Sequence, residues 1–498
     1  MTSVKEGMIL FAAIALIVVT AFFLARNKNK RSRIIISCII AIGLAVRIFG
    51  SLDPYLHQWD EKYHALVGKN LTSGIKKPVL YAKPVHEYDI RKWTENHIWL
   101  EKGPIPLSFI GYSTKLFGYH PFPVRIPSII IGTLSIFLTF LISRQLFNLQ
   151  TAYFAAFLHA INGLIVELNV GRISSDHVET LFIFLVQLSF YVMLIFFESK
   201  RNKTLISLLF GLIIGLGLIT KWAPALLPLP IFFVLVLKKE NKPFQSLLKY
   251  GFFAVLGIIA IVSPFVILMS SFYPEEFAWV MKKFVSAYSN TVDNHEAPWW
   301  YYINKIGVVF GETSAIILII SLITTAIRRN WQFMFLNLWW LIPVLIFSFA
   351  ETKRATYLLI AAPSVFIIIG YVASYLLKYR NIYSKKVVKF VLSLFIFSLF
   401  AFPLLYSFER VKPLDSNFET PNWMTHIEKM KKLDLPKETI ILSFPHHIEA
   451  MYHTDFTVYN RSFSKEKIKE LISKGYRITF FNEETAAFTT SQIWLNKF

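Results

Sequence analysis

The chain has one cysteine, Cys38, in 498 residues. A single thiol excludes an intramolecular disulfide framework and any metal site built on cysteine. Acids are also few: 31 Asp and Glu stand against 52 Lys and Arg, for a formal charge of +21. Gathered on one surface, that surplus would suit nucleic acid. Here it is broken into short clusters between apolar segments, as the positive-inside rule leads one to expect of cytoplasmic loops, and nucleic acid is not an expected partner. Charges are scarce near the centres of the apolar segments, and no internal repeat is visible. Both absences argue against the polar path and repeated halves of a transporter. No low-complexity linker divides the chain.

What is abundant is apolar sequence: 55% of residues are hydrophobic and 16% aromatic. A bilayer-spanning helix needs roughly 20 predominantly apolar residues, and many windows qualify. The first, 8–24, is followed by Arg26, Lys28, Lys30, Arg31 and Arg33. A cleaved signal peptide has the reverse polarity, so a retained helix is expected, with its N-terminus outside the cytoplasm. Alternation then threads segments 34–49, 124–141, 152–170, 178–197, 205–219, 223–237, 247–269, 306–327, 333–349, 355–377 and 388–406. The result is a polytopic α-helical membrane protein of about 12 spans, with both termini extracytoplasmic. Lys or Arg falls in each inner loop of this scheme. Around Lys221, Pro224, Pro228 and Pro230 leave a broken or re-entrant segment open.

The expected organisation is a transmembrane domain, 1–407, and a soluble extracytoplasmic α/β domain, 408–498. Within the first, the long loop 51–122 is extracytoplasmic. Its stretches 65–71 and 106–117 read as helices along the membrane surface. In the tail, 439–444 and 478–481 read as strands. Ser464 can cap a helix bearing Ile468, Leu471 and Ile472, with Gly475 as its stop.

The same threading collects Asp60, Glu61, Glu101, Lys102, Arg172, Asp176, Lys221, His295, Lys353, Arg354 and Tyr357 on the outer side. Carboxylates there can deprotonate an acceptor or bind a metal ion. Lys and Arg can hold a phosphate and stabilise it as a leaving group. Each has a plainer reading. Glu61 can cap the helix that follows it. Lys102 and Lys221 can be interfacial anchors, and Tyr357 can belong to an aromatic belt. Asp176 is harder to dismiss, because an acid near a helix end is costly if it faces lipid. His446, His447 and His453 read as ordinary surface.

Trp59-Asp60-Glu61, then Leu100-Glu101-Lys102-Gly-Pro-Ile-Pro-Leu, then Val124-Arg125-Ile-Pro-Ser resembles the N-terminal half of the GT-C glycosyltransferases. The likeness is greatest to the branch of protein mannosyltransferases and lipid A aminoarabinose transferases. Arg172-Ile-Ser-Ser-Asp176, Gly217-Leu-Ile-Thr-Lys221 and the run from Lys353-Arg354-Ala-Thr-Tyr357 to Pro363 extend the match in order over most of 45–375. Gly103-Pro104 replaces a proline pair usual in the family, and the first helix is additional. The resemblance implies the GT-C fold and an active site on the extracytoplasmic side.

What the resemblance implies for chemistry is transfer of a sugar, with inversion, from a polyprenyl-phosphate donor to an acceptor lipid, glycan or protein. It assigns Asp60, Glu61 and Asp176 to catalysis and Lys102, Arg172, Arg354, Tyr357 and Lys221 to the donor phosphate. It also makes a divalent metal ion on Glu101 and His295 an expectation, and a bacterial inner membrane the expected location. The rival from another class is a transporter or flippase of lipid-linked sugars.

Overall fold

The computed structural model describes residues 30–291, 295–411 and 420–490; the expected helix at 8–24 lies outside them. Among the described residues, eight helices are long and apolar enough to cross a membrane: Arg31–Gly50, Pro121–Leu146, Asp176–Glu198, Lys203–Lys221, Pro243–Phe272, Trp331–Phe349, Ala362–Ile382 and Lys386–Arg410. Two further pairs qualify together but are bent, Leu149–Ile161 with Gly163–Asn169 by 58° and Tyr301–Phe310 with Ser314–Arg328 by 110°, which raises the count to ten at most. The expected span 223–237 is instead a turn of 3-10 helix, Ala223–Leu226, followed by Pro228–Lys239. Twelve residues rise only about 18 Å at 1.5 Å each, short of a hydrocarbon core of about 30 Å. Pro224 and Pro228 break the helix because neither can donate an N–H.

The chain separates into two compact units, the first comprising 30–51, 128–172 and 176–411, the second 52–127, 173–175 and 420–490. In the first unit, helices approach through small residues: a Cβ on Gly211 of Lys203–Lys221 would collide with the carbonyl oxygen of Ala254 on Pro243–Phe272. Close backbone approach of this kind is how spanning helices gain contact when hydrophobicity gives no preference for helix over lipid. Arg47, fully buried, is tied to Asn169 Oδ1 at 2.7 Å and to the carbonyls of Gly43 and Ala160. Those bonds, made by Nε and Nη1, hold a span cation within the helix packing.

The second unit regroups what the sequence reading had divided. Loop 51–122 was expected to belong with the spanning helices; residues 52–127 instead share one hydrophobic core with the tail. Leu56, Tyr63, Leu66, Trp99 and Ile110 pack with Ile427, Ile441, Phe444, Tyr452 and Ile478. Burial rises with the size of the folded unit, and sharing one core gives both parts the larger unit. Two helices of the loop, Asp60–Thr72 and Pro104–Phe117, cross at Gly68 and Gly111, where an added Cβ on either would strike the backbone of the other. Ala65, Leu66 and Val67 are accordingly core residues, although their stretch was expected to lie on a membrane surface.

In the tail, β1 (Thr439–Leu442) is flanked by β2 (Thr457–Val458) and β3 (Arg477–Asn482), both parallel to it, and β4 (Ala487–Thr490) pairs antiparallel with β3. The register sets Ile440 against Ile478 and Phe481 against Phe488. Ser464 caps Lys465–Ser473 by accepting from Lys467 N–H, and Gly475 takes φ +87° after it. Ile468 and Leu471 are buried as expected, whereas Ile472 is exposed.

Candidate active site

Asp60 opens the helix Asp60–Thr72, where a carboxylate complements the positive helix end. Its Oδ2 accepts from the N–H of Ser175 at 3.0 Å and from the Ser175 hydroxyl at 3.2 Å. Lys102 Nζ lies 3.1 Å from the same oxygen and donates to Ser175 Oγ at 3.1 Å. Acid, cation and hydroxyl thus form one closed group within the second unit. Ser175 has φ +62°. That left-handed conformation costs a non-glycine residue about 1–2 kcal/mol, and it brings both N–H and hydroxyl onto one carboxylate oxygen. Strain held next to a charged pair is a pointer to function.

Glu61 faces another way and is fully buried. Arg125 Nε reaches its Oε1 at 2.7 Å and Arg125 Nη2 its Oε2 at 3.0 Å. His57 adds its backbone N–H at 2.6 Å and its Nδ1 at 2.8 Å. Burial alone would raise the Glu61 carboxyl, but Arg125 and then His57 overcome it and hold the acid below the ordinary carboxylate range. Trp59 occupies the N-cap position with no side-chain cap bond, so Glu61 stabilises the helix start through Arg125 and not as a cap. One turn on, burial brings His64 down to about 4, with Asp60 opposing and Lys102 assisting; its imidazole is neutral at pH 7. Glu101 is buried in the same unit.

In the first unit, Asp176 starts the helix Asp176–Glu198 and is fully buried. Its Oδ1 accepts from His177 N–H at 2.6 Å. Lys221, the last residue of its helix, forms an ion pair with Glu179 and stands 5.0 Å from the centre of the Tyr357 ring. Trp222, directly after it, has φ +65°, a rare conformation for so bulky a side chain. Tyr357 lies in the 3-10 turn Ala355–Ile360 and is half-buried, as is Arg354, whose N–H donates to the Tyr302 hydroxyl at 3.3 Å. Arg172 is half-buried, and His295 is exposed on a strand-like segment whose carbonyl accepts from Lys353 N–H at 3.0 Å. Of the two expected metal ligands, Glu101 belongs to the second unit and His295 to the first.

Ser175, Arg125, His57 and Glu179 are the residues of these groups to which the sequence reading gave no role, although Arg125 and Ser175 fall within its motifs. An arginine two places inside the apolar segment 124–141 and an acid inside 178–197 were signals available in the pattern. Ser175 carried none beyond its place beside Asp176.

Residues 101–268 match the family profile of dolichyl-phosphate-mannose-protein mannosyltransferases. The undecaprenyl phosphate-alpha-4-amino-4-deoxy-L-arabinose arabinosyl transferase of Pseudomonas aeruginosa (strain UCBPP-PA14) is 28% identical over 283 residues, 54% of this chain and 49% of the relative. The corresponding transferase of Aeromonas hydrophila is 29% identical over 267 residues, 50% of this chain and 46% of the relative. The matched region spans about half the length of these curated relatives. In three dimensions, ArnT from Cupriavidus metallidurans bound to undecaprenyl phosphate superposes with a TM-score of 0.65 at 12% identity, covering 90% of this chain and 93% of that one. The apo oligosaccharyltransferase of Archaeoglobus fulgidus gives 0.56 at 12% identity, covering 89% and 69%. The chain carries the ArnT-like GT-C fold, and its sequence is similar to that of aminoarabinose transferases over about half its length.

Proposed function

We propose that the chain is a membrane glycosyltransferase that moves a sugar from a polyprenyl-phosphate donor to an extracytoplasmic acceptor, with inversion. The observation that carries the reading is the Asp60–Ser175–Lys102 group: a carboxylate and an ammonium 3.1 Å apart at a helix start, beside a strained serine. The acceptor oxygen attacks the anomeric carbon from the face opposite the phosphate. The new C–O bond forms as the bond to the phosphate oxygen breaks, and the polyprenyl phosphate departs with that electron pair. Asp60 takes or orients the acceptor proton; if the acceptor is itself a phosphate, Asp60 positions it. Lys102, Arg172, Arg354, Lys221 and Tyr357 are assigned to the donor phosphate, and Asp176 to the acceptor side. Glu61 is assigned a positioning role through Arg125. The undecaprenyl phosphate in the Cupriavidus protein and the names of the sequence relatives support this reading. They make undecaprenyl-phosphate 4-amino-4-deoxy-L-arabinose the first donor to try on the purified protein. Absence of transfer from a panel of lipid-linked sugars would refute the proposal.

Two further outcomes follow from it. Lys102→Ala should raise the KM for the donor more than that for the acceptor, because the ammonium no longer meets the phosphate. A donor titration in detergent checks this, and an unchanged donor dependence would reduce Lys102 to an anchor. Secondly, cysteines placed at Val85 and Asp455, both in the second unit, should react with an impermeant thiol reagent in intact cells. Labelling that requires permeabilisation would place this unit in the cytoplasm and overturn the sidedness of the mechanism.

A further inference from the structure

We infer that His57 is a positioning residue that works as an imidazolium, fastening the loop that leads into Asp60 by donating to Asp53 and Glu61 at once. Its Nε2 lies 2.9 Å from Asp53 Oδ2 and its Nδ1 lies 2.8 Å from Glu61 Oε2. A neutral imidazole has one N–H and can satisfy only one carboxylate. Nδ1 is also 3.3 Å from Arg125 Nη2, which would suit a neutral ring accepting from arginine. Nη2 makes shorter contacts, however, to Tyr55 O at 2.7 Å and Glu61 Oε2 at 3.0 Å. The shorter contact of Nδ1 is likewise the one to the Glu61 carboxylate, the arrangement that suits a ring with hydrogen on both nitrogens.

Charge counting leads to the same state. Asp53 and Glu61 bring two negative charges, and Arg125 and protonated His57 bring two positive ones; a neutral ring would leave one net negative charge where Glu61 and Arg125 are fully buried. Asp53 reaches His57 from the loop, Glu61 from the helix Asp60–Thr72, and Arg125 from the helix Pro121–Leu146. The Tyr55 ring meets His57 edge-on at 5.7 Å; behind it stand Trp423 and, stacked on Trp423 at 4.6 Å, His446. Burial pushes the His57 ring down and Arg125 adds to that, but Glu61 and the hydrogen bonds to Asp53 and Glu61 prevail and raise it.

The mechanical consequence is local. Arg125 Nη1 holds Asp53 O at 2.8 Å, Arg125 Nη2 holds Tyr55 O, and His57 N–H holds Glu61. Asp60 lies in the short stretch between these fixed points. The sign of the pH effect follows from the raised proton affinity. His57 contributes stability that is complete below its unfolded value near 6.5 and that is lost as pH rises through its higher folded value.

The role in turnover rests on the proposed function, but the clamp can be tested apart from it. Thermal unfolding of the full chain in detergent is measured from pH 6 to 9.5 for the wild type, His57→Gln and Asp53→Asn. The gap in Tm between wild type and His57→Gln should close as pH rises. Asp53→Asn should bring the wild-type decline about one pH unit lower, since one opposing charge is gone. Parallel profiles at all pH values, or a decline that Asp53→Asn does not move, would overturn the clamp. In sugar transfer, His57→Gln should lower kcat about 10–100-fold with donor KM near normal, and the deficit should narrow on the alkaline side. If no variant transfers sugar while the thermal profiles behave as stated, the functional reading fails and the clamp stands. Should His57→Gln not fold, the Asp53→Asn profile alone decides.

Discussion

Asp60→Asn should lower sugar transfer by about 100-fold or more, the range expected when a general base is removed. The substitution keeps the side-chain size, and its carbonyl oxygen can still accept from Ser175 N–H and hydroxyl, which meet Oδ2 at 3.0 and 3.2 Å. What it removes is the charge that pairs with Lys102 at 3.1 Å and the ability to take a proton. Donor binding should survive, because the phosphate is assigned to cations. Both quantities are to be read on the same folded, purified variant: transfer by product formation, donor binding by titration. Near-normal turnover would remove Asp60 from the mechanism. Lost donor binding would instead assign it a structural or metal-holding role. Glu61→Gln should cost less turnover at fixed folded fraction, since Glu61 meets Arg125 and His57.

Arg125→Ala should give the largest loss of stability. Removing one member of a buried ion pair leaves an uncompensated charge and typically costs about 3–5 kcal/mol. Here it would strand Glu61, and it would also strip donors from the carbonyls of Asp53 and Tyr55. A loss of that size is a large part of the roughly 5–15 kcal/mol that holds a typical domain folded. Proteolysis within 52–127, or tryptophan fluorescence during denaturation, reports it. The paired change of Arg125→Met with Glu61→Leu should recover part of the loss, as apolar replacement of whole buried pairs often does. If Arg125→Ala alone leaves the unit intact, the pair is not what fixes this loop.

Much of the helical part was legible in the sequence. Seven of the expected spans are single helices and an eighth, 355–377, becomes one from Ala362 onward, because a run of apolar residues bounded by Lys or Arg needs no long-range information to be read. The 223–237 segment was misread in length because its prolines signalled a break without fixing where it fell. Ser464 and Gly475 marked a helix end to end, since capping chemistry is local. The shared core of loop and tail could not be seen, because nothing in the pattern of 52–127 names Trp423 or Ile441 as its partners. The site was legible in the same uneven way. Asp60, Lys102 and Asp176 stood out as charges on the outer side of the threading and in the ordered motifs. Ser175 and His57 owe their roles to a backbone conformation and to two nitrogens meeting two carboxylates, and neither is written in residue type.

The shared core also sets an order of events during synthesis. Loop 52–127 leaves the ribosome well before its partners Ile441, Phe444 and Ile478, which stand more than 300 residues further along the chain. At about 5–20 residues per second, roughly 20–70 s separate the two. Throughout that interval the loop cannot bury Leu56, Tyr63 or Trp99 as it does in the finished unit. The nascent loop is therefore a client for chaperones and a target for proteases until the tail arrives. A chain cut short before the sheet forms would lose the part of the core that supports the loop carrying Asp60.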